Sequence, residues 1–152
     1  MTSPSRQRPV VLVYSHRPQV REQIMTAIGR RPAADIGRID FLECSGVNEV
    51  LMALDGQLAD LAILDGEAQP TGGIGVSRQL HLEARGPVPP IILAVRRADD
   101  RWLASWAQAD EILLYPLDPV TAAETVAQVL RRGGLRGDDA TVPTSDATGA
   151  GR

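Results

Sequence analysis

Leu61-Ala62-Ile63-Leu64-Asp65-Gly66 is the stretch that decides the fold. An unbroken apolar run suits a strand covered on both faces, as in a parallel sheet. Here the strand spans Asp60–Leu64, and Asp65 follows at its carboxyl end, with glycine next. In an open α/β sheet the carboxyl ends of the strands border the ligand crevice. Asp65 is therefore offered to chemistry rather than to packing. Four more runs read the same way: Val10–Tyr14, Ile39–Glu43, Ile91–Val95 and Glu111–Tyr115.

Helical patterns alternate with these runs. Pro18–Ile28 carries Val20, Ile24 and Ile28 at i, i+4 and i+8. Gly46–Leu54 puts Val47, Val50, Leu51 and Leu54 on one face, and Ile74–Ala84 aligns Ile74, Ser77, Leu80 and Ala84. Ala98–Ala109 is a fourth helix. The fifth, Asp118–Arg132, starts with Asp118 as N-cap and Pro119 at the first helical position, and ends on Arg131-Arg132-Gly133. The alternation is (βα)5. It predicts an α/β fold with a doubly wound parallel sheet in order 2-1-3-4-5 and helices on both faces. Residues 1–8 are expected to be flexible and 133–152, poor in apolar residues, to form a disordered tail, leaving one domain over 9–132.

Composition narrows the function. The chain has 152 residues, 43% hydrophobic and 3% aromatic, so the core is aliphatic. Net charge is −3, which speaks against sequence-independent nucleic-acid binding. No apolar run approaches the roughly 20 residues of a membrane span, and no signal peptide is visible. With a single cysteine, Cys44, these features predict a cytoplasmic protein. All 16 basic residues are arginine. A mechanism that needs an ammonium beside Asp65 has no lysine to supply it.

Five βα units over Pro9–Arg132, an Asp ending strand three and a Pro directly after strand five resemble the receiver domain of bacterial response regulators. Val11-Leu12-Val13-Tyr14-Ser15-His16-Arg17-Pro18, followed by Val20-Arg21-Glu22, is similar to that family's first strand and the Pro that opens its first helix. Pro70 with Gly72, Gly73 and Gly75 resembles its loop after the phosphoacceptor. The resemblance implies a flavodoxin-like architecture, Asp65 as candidate phosphoacceptor and a sharp turn at Tyr115-Pro116, where the bond is a candidate cis peptide.

Other positions depart from the family. The two acids that would hold Mg²⁺ with Asp65 are Ser15 and His16, a degenerate acidic pocket. The lysine position is Tyr115. The Ser or Thr position falls at Ala94 or Val95, and the aromatic switch position falls near Ile112. Phosphoryl transfer to a carboxylate depends on neutralising charge by metal and cation. Mg²⁺ prefers oxygen ligands with one or two carboxylates, so no cofactor is expected and Mg²⁺ binding is expected to be weak or absent. Arg17, Arg96 and Arg97 are candidate phosphate clamps in place of lysine.

Other constellations point less far. His16 in the crevice and His81 on the third helix are distant in this topology, and with one Cys no metal set of usual spacing exists. Gly72-Gly73-Ile74-Gly75 either cradles an anion or shapes the loop; it has neither the Walker lysine nor the dinucleotide spacing. Ser15 lacks a G-x-S-x-G frame. Trp102 and Trp106, at i and i+4, share a helix face. They either cap the core or anchor a protein partner; the resemblance implies an interaction face, with possible homodimerisation, made by helix four, strand five and helix five.

The expected function is that of an atypical, stand-alone receiver-like signalling protein, not an enzyme. It would act through a protein partner, without nucleic acid, membrane insertion or Mg²⁺-dependent phosphorylation. Two alternatives stand beside it: a functional single-domain response regulator phosphorylated on Asp65 in a phosphorelay, and a small-ligand-binding module using the crevice at Ser15, His16 and Asp65. A small enzyme ranks last, for want of an acid–base or nucleophile set.

Overall fold

Strand pairing in the computed structural model, which describes residues 8–68, 72–83, 86–96 and 108–133, gives one five-stranded sheet. The strands are β1 (Val10–Tyr14), β2 (Asp40–Cys44), β3 (Leu61–Asp65), β4 (Ile91–Val95) and β5 (Glu111–Leu114). All pairings are parallel and the order is β2-β1-β3-β4-β5, as expected. The described helices are α1 (Pro18–Ile28), α2 (Val47–Asp55), α3 (Gly73–Glu83) and α4 (Pro119–Arg132), the last being the fifth helix of the sequence reading. Most of the expected Ala98–Ala109 helix, with Arg97, Trp102 and Trp106, lies outside the described residues. So do residues 1–7 and 134–152, which include nearly all of the two expected flexible ends.

Several boundaries move by one residue. β2 runs Asp40–Cys44 rather than Ile39–Glu43, because Asp40 N–H already bonds Pro9 O while Ile39 N–H bonds Arg30 O. β3 takes in Asp65, which pairs with Ala94. β5 stops at Leu114, although Tyr115 N–H still donates to Val95 O at 2.9 Å. The Tyr115–Pro116 bond that follows is cis. α2 begins at Val47, with Gly46 as its cap residue.

Side-chain alternation sorts the core into two layers, since successive residues of a strand face opposite sides. Leu12, Tyr14, Ala62, Leu64, Ile91, Leu93 and Val95 join α2 and α3 residues on one face. Val11, Val13, Leu61, Ile63, Ile92 and Leu113 join Val20, Ile24 and Ile28 of α1 and Val126, Val129 and Leu130 of α4 on the other. β3 and β4 are buried along their whole length, which is why they read as continuous apolar runs. The same alternation carries Ser15, Asp65 and Tyr115 to the α1–α4 side, each an even step beyond Val13, Ile63 and Leu113.

Local sequence explains the helix starts. Asp118 accepts from Thr121 N–H at 2.9 Å and Pro119 opens α4. Glu49 Oε1 accepts from Ser45 N–H, Ser45 Oγ and Gly46 N–H, fixing the entry to α2. α3 begins against the end of β3, where a Cβ on Gly73 would lie 2.8 Å from Leu64 O. Glycine is needed there for close approach.

Candidate functional site

Asp65 and Ser15 are both fully buried at the carboxyl ends of β3 and β1. Burying a carboxylate is costly unless donors surround it, and three do. Ser15 Oγ donates to Asp65 Oδ2 at 2.8 Å. The Tyr115 hydroxyl donates to Oδ1 at 2.8 Å. The Glu67 backbone N–H adds a bond to Oδ1 at 3.0 Å. Each carboxylate oxygen thus accepts from a hydroxyl. The donors come from three strand ends, and the sheet register sets Ser15 next to Asp65, one step past the Tyr14–Leu64 pair.

Second contacts hold the donors. Arg17 N–H donates to Ser15 Oγ at 3.2 Å, so the hydroxyl accepts one bond and spends its proton on Asp65. Arg21 Nη1 donates to Ser15 O at 2.8 Å, while its Nε bonds Glu43 Oε1 at 2.9 Å. Tyr115 is held against the α1–α4 core layer. Burial first, then the negative charge of Asp65 and the hydrogen bond to it, raise the Tyr115 hydroxyl far above the ordinary tyrosine range. It stays a proton donor at physiological pH.

Above this floor lies a cavity of about 440 Å³, lined by Arg17, Gln19, Val20 and Gln23 from the start of α1, Asp65 and Glu67 after β3, Arg96 after β4, and Tyr115 with Pro116. Arg96 Nε stands 3.7 Å from Glu67 Oε1, in a solvent-exposed pair.

The sequence-based candidates separate here. Asp65, Ser15 and Tyr115 come together. Arg17 and Arg96 reach the cavity, while His16 is not among its lining residues. Ala94 stands directly across from Asp65 in the register, and Val95 pairs with Leu114. His81 Nδ1–H donates to Ser77 O, 2.9 Å away, one turn back on its own helix. The glycine loop is built for packing: a Cβ on Gly72 would lie 2.6 Å from Gly66 O. No group of three or more His, Cys, Asp or Glu able to hold a metal ion occurs among the described residues. None of the described helices is long and apolar enough to cross a membrane. Sequence reasoning missed Arg21, Glu43, Gln19 and Gln23. The i, i+4 spacing of Gln19 and Gln23 on α1, with Val20 anchoring the helix, was the available signal.

Comparison with known proteins agrees with this architecture. No family model matches the chain. An uncharacterised response regulatory protein of Mycobacterium tuberculosis, in strains CDC 1551 / Oshkosh and H37Rv, is 42% identical over 121 residues, 80% of this chain and 90% of the relative. Among solved structures, the chemotaxis response regulator CheY4 of Vibrio cholerae superposes with a TM-score of 0.66 at 17% identity, covering 81% of this chain and 99% of that one. The receiver domain of a Francisella response regulator gives 0.68 at 17% identity, covering 83% and 99%. These structural likenesses concern the fold.

Proposed function

The chain belongs to the response-regulator family, with a receiver fold, and from that premise we propose that it is an atypical receiver that signals by docking on a protein partner, without Mg²⁺-dependent phosphorylation of Asp65. The observation that carries this reading is the occupied carboxylate: Ser15 and Tyr115 each place a hydroxyl proton on one oxygen of Asp65. Two neutral donors stand where phosphoryl transfer needs a metal and a cation. The residues present do not fit Mg²⁺. Asp65 is the one carboxylate buried at the cavity floor, Glu67 is engaged by Arg96, and Ser15 offers a single neutral oxygen already directed at Asp65. The protein would work in the cytosol as a binding module rather than an enzyme.

A second reading keeps Asp65 as a phosphoacceptor in a phosphorelay. What favours it is the pair of arginines at the cavity, Arg17 and Arg96, as phosphate clamps. The readings part in one experiment. The tagged protein captures its partner from extract of the native cell, alongside Asp65→Asn and the double variant Trp102→Ala with Trp106→Ala. Docking without phosphorylation predicts equal capture by wild type and Asp65→Asn, and loss of capture in the tryptophan variant if those side chains form the interaction face. Capture by wild type that rises on phosphoryl-donor treatment, and is absent from Asp65→Asn with or without the donor, contradicts it.

A further inference from the structure

We propose that the acidic stretch Asp138–Asp146, which follows α4 in the same chain, docks on a basic loop between α1 and β2. The site is independent of how Asp65 is used, since the loop enters the amino end of β2 and Asp65 closes the carboxyl end of β3. Residues 29–39 make this loop, which is longer than the roughly 2–6 residues usual between a helix and a strand. It is folded on itself. Ile39 N–H donates to Arg30 O at 2.8 Å and closes it, while Ile36 N–H and Gly37 N–H both donate to Ala33 O. Ile36 and Ile39 are fully buried in the α1–α4 core layer. Compact loops with closed ends and their own side chains packed inside are frequently functional.

Charge sets this loop apart. Arg30, Arg31 and Arg38 are exposed, and none makes an ion pair among the described residues. The loop's one acid, Asp35, is held by Arg131 of α4, whose Nε and Nη2 each donate to it at 2.6 Å. Asp40, where β2 begins, is held by Arg8. Arg30, Arg31 and Arg38 are left uncompensated, on a chain whose net charge is −3. The Arg131–Asp35 pair also fixes where the following chain starts, because α4 ends at Arg132, against this loop. Asp138 lies six residues past Arg132, a span of at most about 22 Å at ~3.6 Å per residue. From Asp138 to Asp146 the sequence carries Asp138, Asp139 and Asp146 and no basic residue. Its charge therefore matches that of the three free arginines. A single exposed pair is weak, but arginine takes a carboxylate through paired N–H bonds. The tether adds an effective concentration on the order of millimolar. The tail of a second copy has the same charges without that advantage, and a nucleic acid would meet a chain of net negative charge.

The test uses the full chain, ¹⁵N-labelled, with a nitroxide on Thr141→Cys in a Cys44→Ala background. At low salt the amides of Arg30, Arg31 and Arg38 should be broadened. That broadening should fall severalfold at about 1 M salt, where the screening length is about 3 Å, and equally in Asp138→Asn/Asp139→Asn/Asp146→Asn. The amides of Leu61 and Ile91, at the same end of the sheet, report the tether alone and should not respond to either change. A second measurement needs neither label nor cysteine change: wild type and the triple Asp→Asn variant should differ in amide shift at the three arginines. No broadening there, or no shift difference, overturns the contact. Broadening that survives both salt and the Asp→Asn changes overturns its electrostatic basis. Broadening of the same size when nitroxide-bearing ¹⁴N chains are mixed with unlabelled ¹⁵N chains assigns the loop to a second copy and overturns docking within one chain.

Discussion

Replacing Tyr115 by phenylalanine removes one hydroxyl and nothing else from the floor of the site. The ring keeps its packing against the α1–α4 layer, so no cavity forms and no transfer cost enters. What is lost is the 2.8 Å bond to Asp65 Oδ1. A hydrogen bond to a charged group contributes about 1.5–3 kcal/mol. Asp65 retains Ser15 and the Glu67 N–H, and Tyr115 is only partly buried, so the lower end applies: about 1.5 kcal/mol, or roughly 6 °C in melting temperature for a domain of this size. Urea unfolding at neutral pH measures it, and the m-value should not change, because the surface exposed on unfolding is the same. An unchanged midpoint would refute the bond. A changed m-value would show instead that the ring has left its place.

Ser15→Ala should cost about 1–3 kcal/mol, the penalty for a buried acceptor losing its partner, and Ser15→Ala with Tyr115→Phe should cost more than the two single losses added, because both donors serve one carboxylate. Denaturant melts of the four proteins give that coupling directly. Gly73→Ala should destabilise by about 1–3 kcal/mol through overpacking, since its Cβ would lie 2.8 Å from Leu64 O and 2.9 Å from Leu64 Cβ; a melting temperature equal to wild type contradicts the close approach of α3 to β3. At alkaline pH the sign follows from the raised Tyr115 value: its stabilisation is complete below the unfolded value of 10.0 and is lost as pH climbs toward the folded value. The stability gap between wild type and Tyr115→Phe should therefore narrow above about pH 10, and a constant gap contradicts the shift. Cys44, raised from 9.0 to about 11 chiefly by burial, loses its contribution between those limits, which a Cys44→Ala comparison checks.

The fold was legible because both of its signals are local. Leu61–Leu64 and Ile91–Val95 are covered on two faces and so are continuously apolar, and α1 and α4 carry their apolar stripes and their opening prolines in sequence, α4 with Asp118 as its cap. The single-residue slips fall where a strand end is set by its neighbour's register, as for Asp40 and Asp65. The site was half legible. Asp65 announces itself, since a carboxylate at the end of an apolar strand has no packing role. Ser15 and Tyr115 read as departures from a family pattern, each alone; only strand alternation across three strands shows that their hydroxyls meet on one carboxylate. Arg21 was invisible for a related reason. Its contacts, Ser15 O and Glu43, lie on two different strand ends, and nothing in the α1 pattern marks it as more than a polar-face residue.

The most direct test of an occupied Asp65 is intact-mass measurement after incubation with acetyl phosphate and Mg²⁺, comparing wild type with Ser15→Asp/Tyr115→Lys. That variant exchanges the two hydroxyl donors for the acid and the ammonium that phosphoryl transfer uses. The account predicts no phosphoryl adduct on wild type and a measurable adduct on the variant, lost again when Asp65→Asn is added. Efficient labelling of wild type that disappears in Asp65→Asn would contradict it.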